Sequence, residues 1–369
     1  MCKKVLIILI FVLITLSFAP LTYAQELSAK SIILIEADSG EIIFEKNAHV
    51  SLPMASTTKI MTAIIVLENC DLDKRVIIPA EATNIEGSSI YLQEGETLTV
   101  RELLYALLLE SANDSAVALA YATSGGVDDF VNLMNEKAVS LGLASTHFDN
   151  PHGLESESHY SSAYDLAKIG AYAMKNPVFK EIVSTQKKSI SLNNNDGKRV
   201  LINHNKLLRL YDAANGIKTG YIKKSGRCFV SSAEKDGVKL ICASLNAPND
   251  WNDHMKLFDY GFQKYESIKF ASPLDYLIEL NVEGGNVSSF YCTNLDELKI
   301  TLPKSKKDIS TKIVYSNTSL PIKEGEVVGK IIFYNYDNEI ASLNLYSIDK
   351  VSKKTKISIL ERIFNNGKN

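Results

Sequence analysis

No two cysteines in this chain stand at the spacing of a metal-ligand pair. Cys2, Cys70, Cys228, Cys242 and Cys292 are scattered, which excludes the zinc-ribbon and zinc-finger classes and gives no metal site and no cofactor. Cys70, Cys228 and Cys242 fall in apolar contexts and read as buried thiols, not as a disulfide framework. Charge of one sign is equally scarce. Forty Lys and Arg against 43 Asp and Glu leave a net charge of −3, so nothing draws the chain to nucleic acid. Internal repeats and low-complexity tracts are missing too, which excludes solenoids and disordered linkers. What remains is globular: 369 residues, 46% hydrophobic and 22% charged, enough for two domains.

The one long apolar run is at the start. MCKK supplies a basic region, VLIILIFVLITLSFA an apolar one, and Thr22-Tyr23-Ala24 a small-x-small cleavage site, the pattern of a signal peptide over residues 1–24. An uncleaved anchor is the other reading, since the run approaches the ~18 residues of a span. Either way the rest of the chain is exported, to the cell wall or the outer face of the cytoplasmic membrane. Cys2 precedes the apolar run and so cannot be a lipoprotein cysteine.

SIILIEADSGEIIFEKN reads as a hairpin about Asp38-Ser39-Gly40. Helices are expected from the Ser56 region onward, from the capping box Thr99–Glu102 to about Glu110, from Asp114 to Gly125-Gly126, across Phe130, Leu133, Met134 and Leu141, and over SAYDLAKIGAYAMKN. From Gly216 strands return, with a turn at Asp236-Gly237 and a helix over WNDHMKLFDYGFQKY. Early and late strands around a helical middle predict an α/β (α+β) domain, a mostly antiparallel sheet flanked by helices. Beyond residue 267 short strands separated by Gly, Pro, Asn and Lys predict a small all-β C-terminal domain. The expected division is 1–24, 25–266, 267–350 and a tail, 351–369.

Within PMASTTKIMTAIIVLENC, Ser56, Thr57, Thr58 and Lys59 open a helix that is apolar all round. A hydroxyl there can be a cap. An ammonium there is costly unless it is paired or its pKa falls. Ser56 and Lys59, three apart, share a helix face, and a serine nucleophile needs a base close by. For Lys59 to serve, its pKa must fall from ~10.4 toward ~7–8, about 4 kcal/mol of differential interaction.

S-x-x-K alone is weak, recurring at Ser184–Lys187, Ser232–Lys235 and Ser347–Lys350, and S-x-N and K-[ST]-G also recur. Order and context separate one set. Ser56–Lys59 opens a buried helix, Ser111-Ala112-Asn113 sits between two helices, and Lys218-Thr219-Gly220 lies just ahead of the late strands. Those three could converge on one cleft.

Ser-x-x-Lys, Ser-x-Asn and Lys-Thr-Gly in this order resemble the motifs of penicillin-binding proteins and serine β-lactamases. PMASTTKIMTA, LLLESANDSAVALA, FDNPHGL, HYSSAYDLAKI, NHNKLL and NGIKTGYIKKSGRCFVSSA resemble the low-molecular-mass D-alanyl-D-alanine carboxypeptidases in particular, over residues 26–265, and PIKEGEVVGKI resembles their β-rich C-terminal domain. The resemblance implies a substrate, a peptidoglycan stem peptide ending in D-Ala-D-Ala, and β-lactams as inhibitors. It implies Ser56 as nucleophile, Lys59 as its base and Ser111 as proton relay to the leaving amine. Asn113 would bond the substrate amide, Lys218 would add charge near the base, and Thr219 would meet the substrate carboxylate. The backbone N–H groups of Ser56 and Tyr221 would hold the oxyanion, where one donor is worth ~2.7–4 kcal/mol. His204 departs from relatives with Arg in the middle of N-x-N, and would be a weaker, pH-dependent carboxylate partner.

The bland rivals are Asp114 as a helix-start residue, His152 as a loop brace and His159 as a member of a Ser–His triad. A β-lactamase would use a loop glutamate, for which Glu155 and Glu157 are the candidates. A penicillin sensor or cell-wall binding protein without turnover is the other alternative. In the tail, Ile357, Leu360, Ile363 and Phe364 at helical spacing, behind Lys353, Lys354 and Lys356, predict a basic amphipathic helix on an anionic membrane surface.

Overall fold

The computed structural model describes residues 27–192, 195–305, 307–316 and 319–354. The expected signal peptide and the apolar stripe of the expected tail lie outside the described residues. The chain forms two compact units: one of the residues up to Leu34, Phe44–Ser231 and Cys242–Leu257, the other of Ile35–Ile43, Ser232–Ile241 and the chain from Phe258 onward.

The strands up to the last long helix are β1 (Ser31–Glu36), β2 (Ile42–Lys46), β3 (Arg75–Ile77), β4 (Thr97–Thr99), β5 (Lys187–Leu192), β6 (Asn195–Ile202), β7 (Ala214–Ile222), β8 (Gly226–Lys235) and β9 (Val238–Leu245). Five of them make one sheet in the order β2-β1-β9-β8-β7. First and last strands meet at its centre, so the sheet closes only when the chain is nearly complete. All six residues of β1 are buried, which is why SIILIE shows no alternation: both faces of the strand are covered.

The helical middle follows from its sequence. Lys59–Asn69 is a helix whose residues Lys59 to Val66 are all buried, and Thr99 and Glu102 form the expected reciprocal cap for Val100–Tyr105. The next five residues, Ala106–Glu110, widen into a π turn. Asn113–Ser124 follows and stops at Gly125, whose φ of 82° is the left-handed terminator glycine allows. Val127–Ser140, Ala163–Met174, Pro177–Ser184 and Asp250–Lys264 complete the long helices. Two features had no sequence expectation, the β5–β6 hairpin and β7. Lys218-Thr219-Gly220 lies inside β7, not ahead of the strands. A buried lysine in mid-strand hides the apolar pattern that would have marked it.

The second unit holds a two-stranded sheet of β10 (Tyr265–Ala271) and β13 (Leu298–Pro303). It also holds a five-stranded antiparallel sheet of β11 (Leu277–Asn281), β12 (Ser289–Thr293), β16 (Asn338–Ser347), β15 (Val327–Asn335) and β14 (Ile309–Tyr315), in that order. Phe290, Cys292, Val328, Ile331, Phe333 and Leu345 form its core. Val351 is buried there and bridges Ile322, and Lys353 bridges Gly285.

Candidate active site

The Ala55–Thr58 turn ahead of the buried helix is a 3-10 turn, with Ala55 in the left-handed region at φ 48°. Its hydroxyls satisfy its own carbonyls: Thr57 Oγ1 donates to Met54 O at 2.6 Å and Thr58 Oγ1 to Ala55 O at 2.8 Å. Ser56 makes no side-chain cap bond there, so its hydroxyl is left for other chemistry.

Lys59 is fully buried, and three oxygens surround its amine. Asn113 Oδ1 and the His152 carbonyl lie 2.6 Å from Nζ, and Ser56 Oγ lies at 3.2 Å. The geometry suits a neutral amine: its two hydrogens go to the two short acceptors and its lone pair faces the serine hydroxyl. Burial, first, and the charge of Lys218, second, hold the Lys59 pKa well below its usual value, while Asp114 opposes them. Lys218 is itself buried, its pKa lowered to about 7 by burial, and its Nζ donates to Thr219 O at 2.8 Å.

Each neighbour of Lys59 is fixed from behind. Asn113 Nδ2 donates to Glu86 O at 2.6 Å, which sets the amide so that its oxygen faces the lysine. The loop that carries the His152 carbonyl is braced by Asn150 Oδ1, which accepts from His152 N and Gly153 N, and by Thr62 Oγ1 on Pro151 O at 2.6 Å. A Cβ on Gly153, at φ 89°, would stand 2.0 Å from Ala55 O, so only glycine lets this loop lie against the serine turn. His152 carries out the bracing role: its Nδ1 accepts from Leu154 N, and burial lowers its pKa to about 3.

His159 is no triad member. Its Nδ1 accepts from Asp149 N, so the proton is on Nε2, which faces Thr58 Oγ1 at 2.7 Å and not Ser56. Asp114 is more than a helix start. Buried, it accepts from Ile90 N, Leu92 N and Ser89 Oγ, and its charge acts on Lys59.

β7 supplies the opposite wall. A Cβ on Gly220 would lie 2.9 Å from Ser56 N and 3.1 Å from Thr57 N, so the Lys218-Thr219-Gly220 segment packs directly against the serine turn. Ser111, with φ 62° at the end of the π turn, is nearly buried. An open cleft of about 330 Å³ brings together Ser56, Ser111, Thr219, Gly220, Tyr221 and His204. Lys59, Asn113 and Lys218 stand behind that wall. The Tyr221 side chain is exposed. His204 is turned to Glu110, Nε2 to Oε2 3.0 Å, and Glu110 also accepts from Ile202 N. Glu155 is paired with Lys224 at 2.9 Å and Glu157 is exposed. Among the described residues no cluster of His, Cys, Asp and Glu could hold a metal.

The same cleft reaches Lys206, Arg227, Asp250 and Trp251, which sequence reasoning missed. Asp250-Trp251 opens the last long helix, and Arg227 opens β8, positions with no motif to flag them.

The sequence model described as D-alanyl-D-alanine carboxypeptidase matches residues 19–249, and that of the penicillin-binding protein 5 C-terminal domain matches 265–353. The chain is 32% identical to D-alanyl-D-alanine carboxypeptidase DacF of Bacillus subtilis (strain 168), over 98% of this chain and 97% of the relative. It is 30% identical to DacC of Escherichia coli (strain K12), over 91% and 89%. Among solved structures, penicillin binding protein 5 from Haemophilus influenzae superposes with a TM-score of 0.69 at 28% identity, covering 89% of this chain and 98% of that one.

Proposed function

Because the chain belongs to the D-alanyl-D-alanine carboxypeptidase family, and so is a serine-type carboxypeptidase of peptidoglycan stem peptides, we propose that Ser56 is its nucleophile and Lys59 its base. The observation that carries this reading is the buried, pKa-depressed Lys59 amine facing Ser56 Oγ with its other contacts filled by Asn113 and His152 O.

Lys59 takes the Ser56 proton as Oγ attacks the carbonyl carbon between the two D-alanines. The oxyanion rests on the backbone N–H groups of Ser56 and Tyr221, a pairing supported by the tight approach of Gly220 to Ser56 N. The C–N bond then breaks, and Ser111 passes a proton to the departing D-alanine amine. Its nearly buried hydroxyl lines the cleft. Water hydrolyses the remaining ester. Asn113 positions Lys59 and has one amide hydrogen left for the substrate. Lys218 keeps the base neutral, Thr219 meets the substrate carboxylate, and His204 stands at the rim. A β-lactam acylates the same serine.

The catalytic domain is taken as 25–266 and the β-rich domain as 267–350. The protein acts outside the cytoplasm, after removal of residues 1–24. The tail from 351 rests on an anionic membrane surface, a reading supported by its lysines and apolar spacing. No helix among the described residues is long and apolar enough to cross a membrane. Sedimentation with anionic vesicles should need the residues after Lys354.

The test is incubation of the chain from Gln25 with a fluorescent penicillin and then with diacetyl-Lys-D-Ala-D-Ala. Stable labelling lost in Ser56→Ala, with D-alanine release, is expected. Rapid loss of label with penicillin hydrolysis would make it a β-lactamase. Labelling without D-alanine release would make it a sensor, and no labelling would remove the acyl-serine mechanism.

A further inference from the structure

The substrate ends in a free carboxylate, and a cation has to reach it. Most of the cations at the site are committed elsewhere. Lys59 is held by Asn113 and His152 O, Lys218 is buried against Thr219 O, and His204 is paired with Glu110. Arg227 differs. It lines the cleft with Ser56 and Thr219, and its side chain is 40% exposed whereas that of its partner Asp250 is 2% exposed. Nε and Nη2 both meet Asp250 Oδ1, at 3.0 and 2.8 Å. The guanidinium carbon stands 5.2 Å from the Trp251 ring centre. Among the described residues Nη1 has no partner.

The fork is fixed at its base as well as its tip. Asp250 Oδ1 accepts from Trp251 N, Asp250 N donates to Ala247 O, and Ala247 N donates back to Arg227 O. Such a planar, immobilised donor suits a carboxylate better than a flexible ammonium does. We propose that Arg227, held by Asp250 and Trp251, binds the terminal carboxylate of the substrate next to Thr219 and thereby makes the enzyme select chains with a free C-terminus. This rests on the reading of Ser56 as nucleophile. Asp250 cancels most of the long-range charge of Arg227, so the selection is made by short-range hydrogen bonds and depends little on salt.

The experiment compares kcat/KM for diacetyl-Lys-D-Ala-D-Ala with that for its C-terminal amide. The ratio of acid to amide is independent of how much of a preparation is active. Wild type should prefer the acid, and Arg227→Gln should lower the ratio about 10- to 100-fold, the range for a lost charge-assisted hydrogen bond. Because Arg227→Gln strands the buried Asp250, the double variant Arg227→Gln/Asp250→Asn removes the charge pair together and should show the same fall. Arg227→Lys should restore only part of it. A ratio unchanged in the double variant overturns the proposal, as does a wild type indifferent to acid or amide, or a collapse seen in Lys206→Gln but not at Arg227. A wild type that cleaves neither peptide and takes no penicillin label would instead remove the nucleophile assignment.

Discussion

Replacing Lys218 by methionine should change how the stability of the catalytic unit depends on pH. The folded pKa of Lys218 is about 7 against an ordinary 10.5. Between these values the unfolded chain binds more protons than the folded one, so stability rises with pH. The stabilisation is complete above 10.5 and is lost as pH falls through 7. The gap of about 3.5 units corresponds to roughly 5 kcal/mol over the whole window, and about 2 kcal/mol of it falls between pH 7 and pH 9. Lys218→Met has no proton to bind, and its buried stem is replaced by one of similar reach. Its advantage over wild type should therefore be largest at pH 7 and shrink by about 2 kcal/mol at pH 9. Lys59 acts in the same direction, because the charge of Lys218 is one cause of its own depressed pKa. Trp251, the single tryptophan, lies in the same unit, so urea unfolding followed by its fluorescence at pH 7, 8 and 9 reads that unit. A difference between the proteins that stays constant with pH would refute the claim that Lys218 is held near neutrality.

Gly220→Ala puts a Cβ 2.9 Å from Ser56 N. Penicillin acylation should slow about 100-fold, as for a displaced oxyanion donor, with a nearly unchanged Tm, and stopped-flow labelling would measure it. Gly153→Ala meets Ala55 O at 2.0 Å from a left-handed backbone and should cost about 2–4 kcal/mol, visible as a lowered Tm in calorimetry. Asp114→Asn keeps an acceptor for Ile90 and Leu92 but removes a charge that raises the Lys59 pKa. The acid limb of the acylation rate should move to lower pH, and a shift to higher pH would contradict the assigned electrostatics.

Much of the site was legible because three motifs place nucleophile, base and partners at element ends, and an apolar helix with one lysine is hard to explain otherwise. The helices of the middle were legible for similar local reasons: the capping box at Thr99, the glycine stop at Gly125, the all-round apolar pattern after Lys59. What could not be read is non-local. Nothing in FDNPHGL says that the carbonyl of His152 will accept from Lys59, because carbonyls have no sequence signature. Asp114 looks like any acidic residue in a first helical turn until Ile90 and Leu92 are brought to it from more than 20 positions away. β7 was obscured by its buried lysine, and Arg227 with Asp250 by the 23 residues between them.

The π turn at Ala106–Glu110 has a consequence for insertions and deletions. The Ser111 N–H reaches back five residues to Ala106 O, and Ala112 N reaches the same carbonyl. The segment therefore carries one residue more than an α-helix needs. Changing a side chain there leaves that count intact. Deleting any one of Leu107 to Glu110 would let the ordinary helical bonding close and swing Ser111 by about 100°, away from the cleft. In this stretch chain length is under tighter constraint than composition, and lineages of such chains should vary its leucines far more freely than they gain or lose a position.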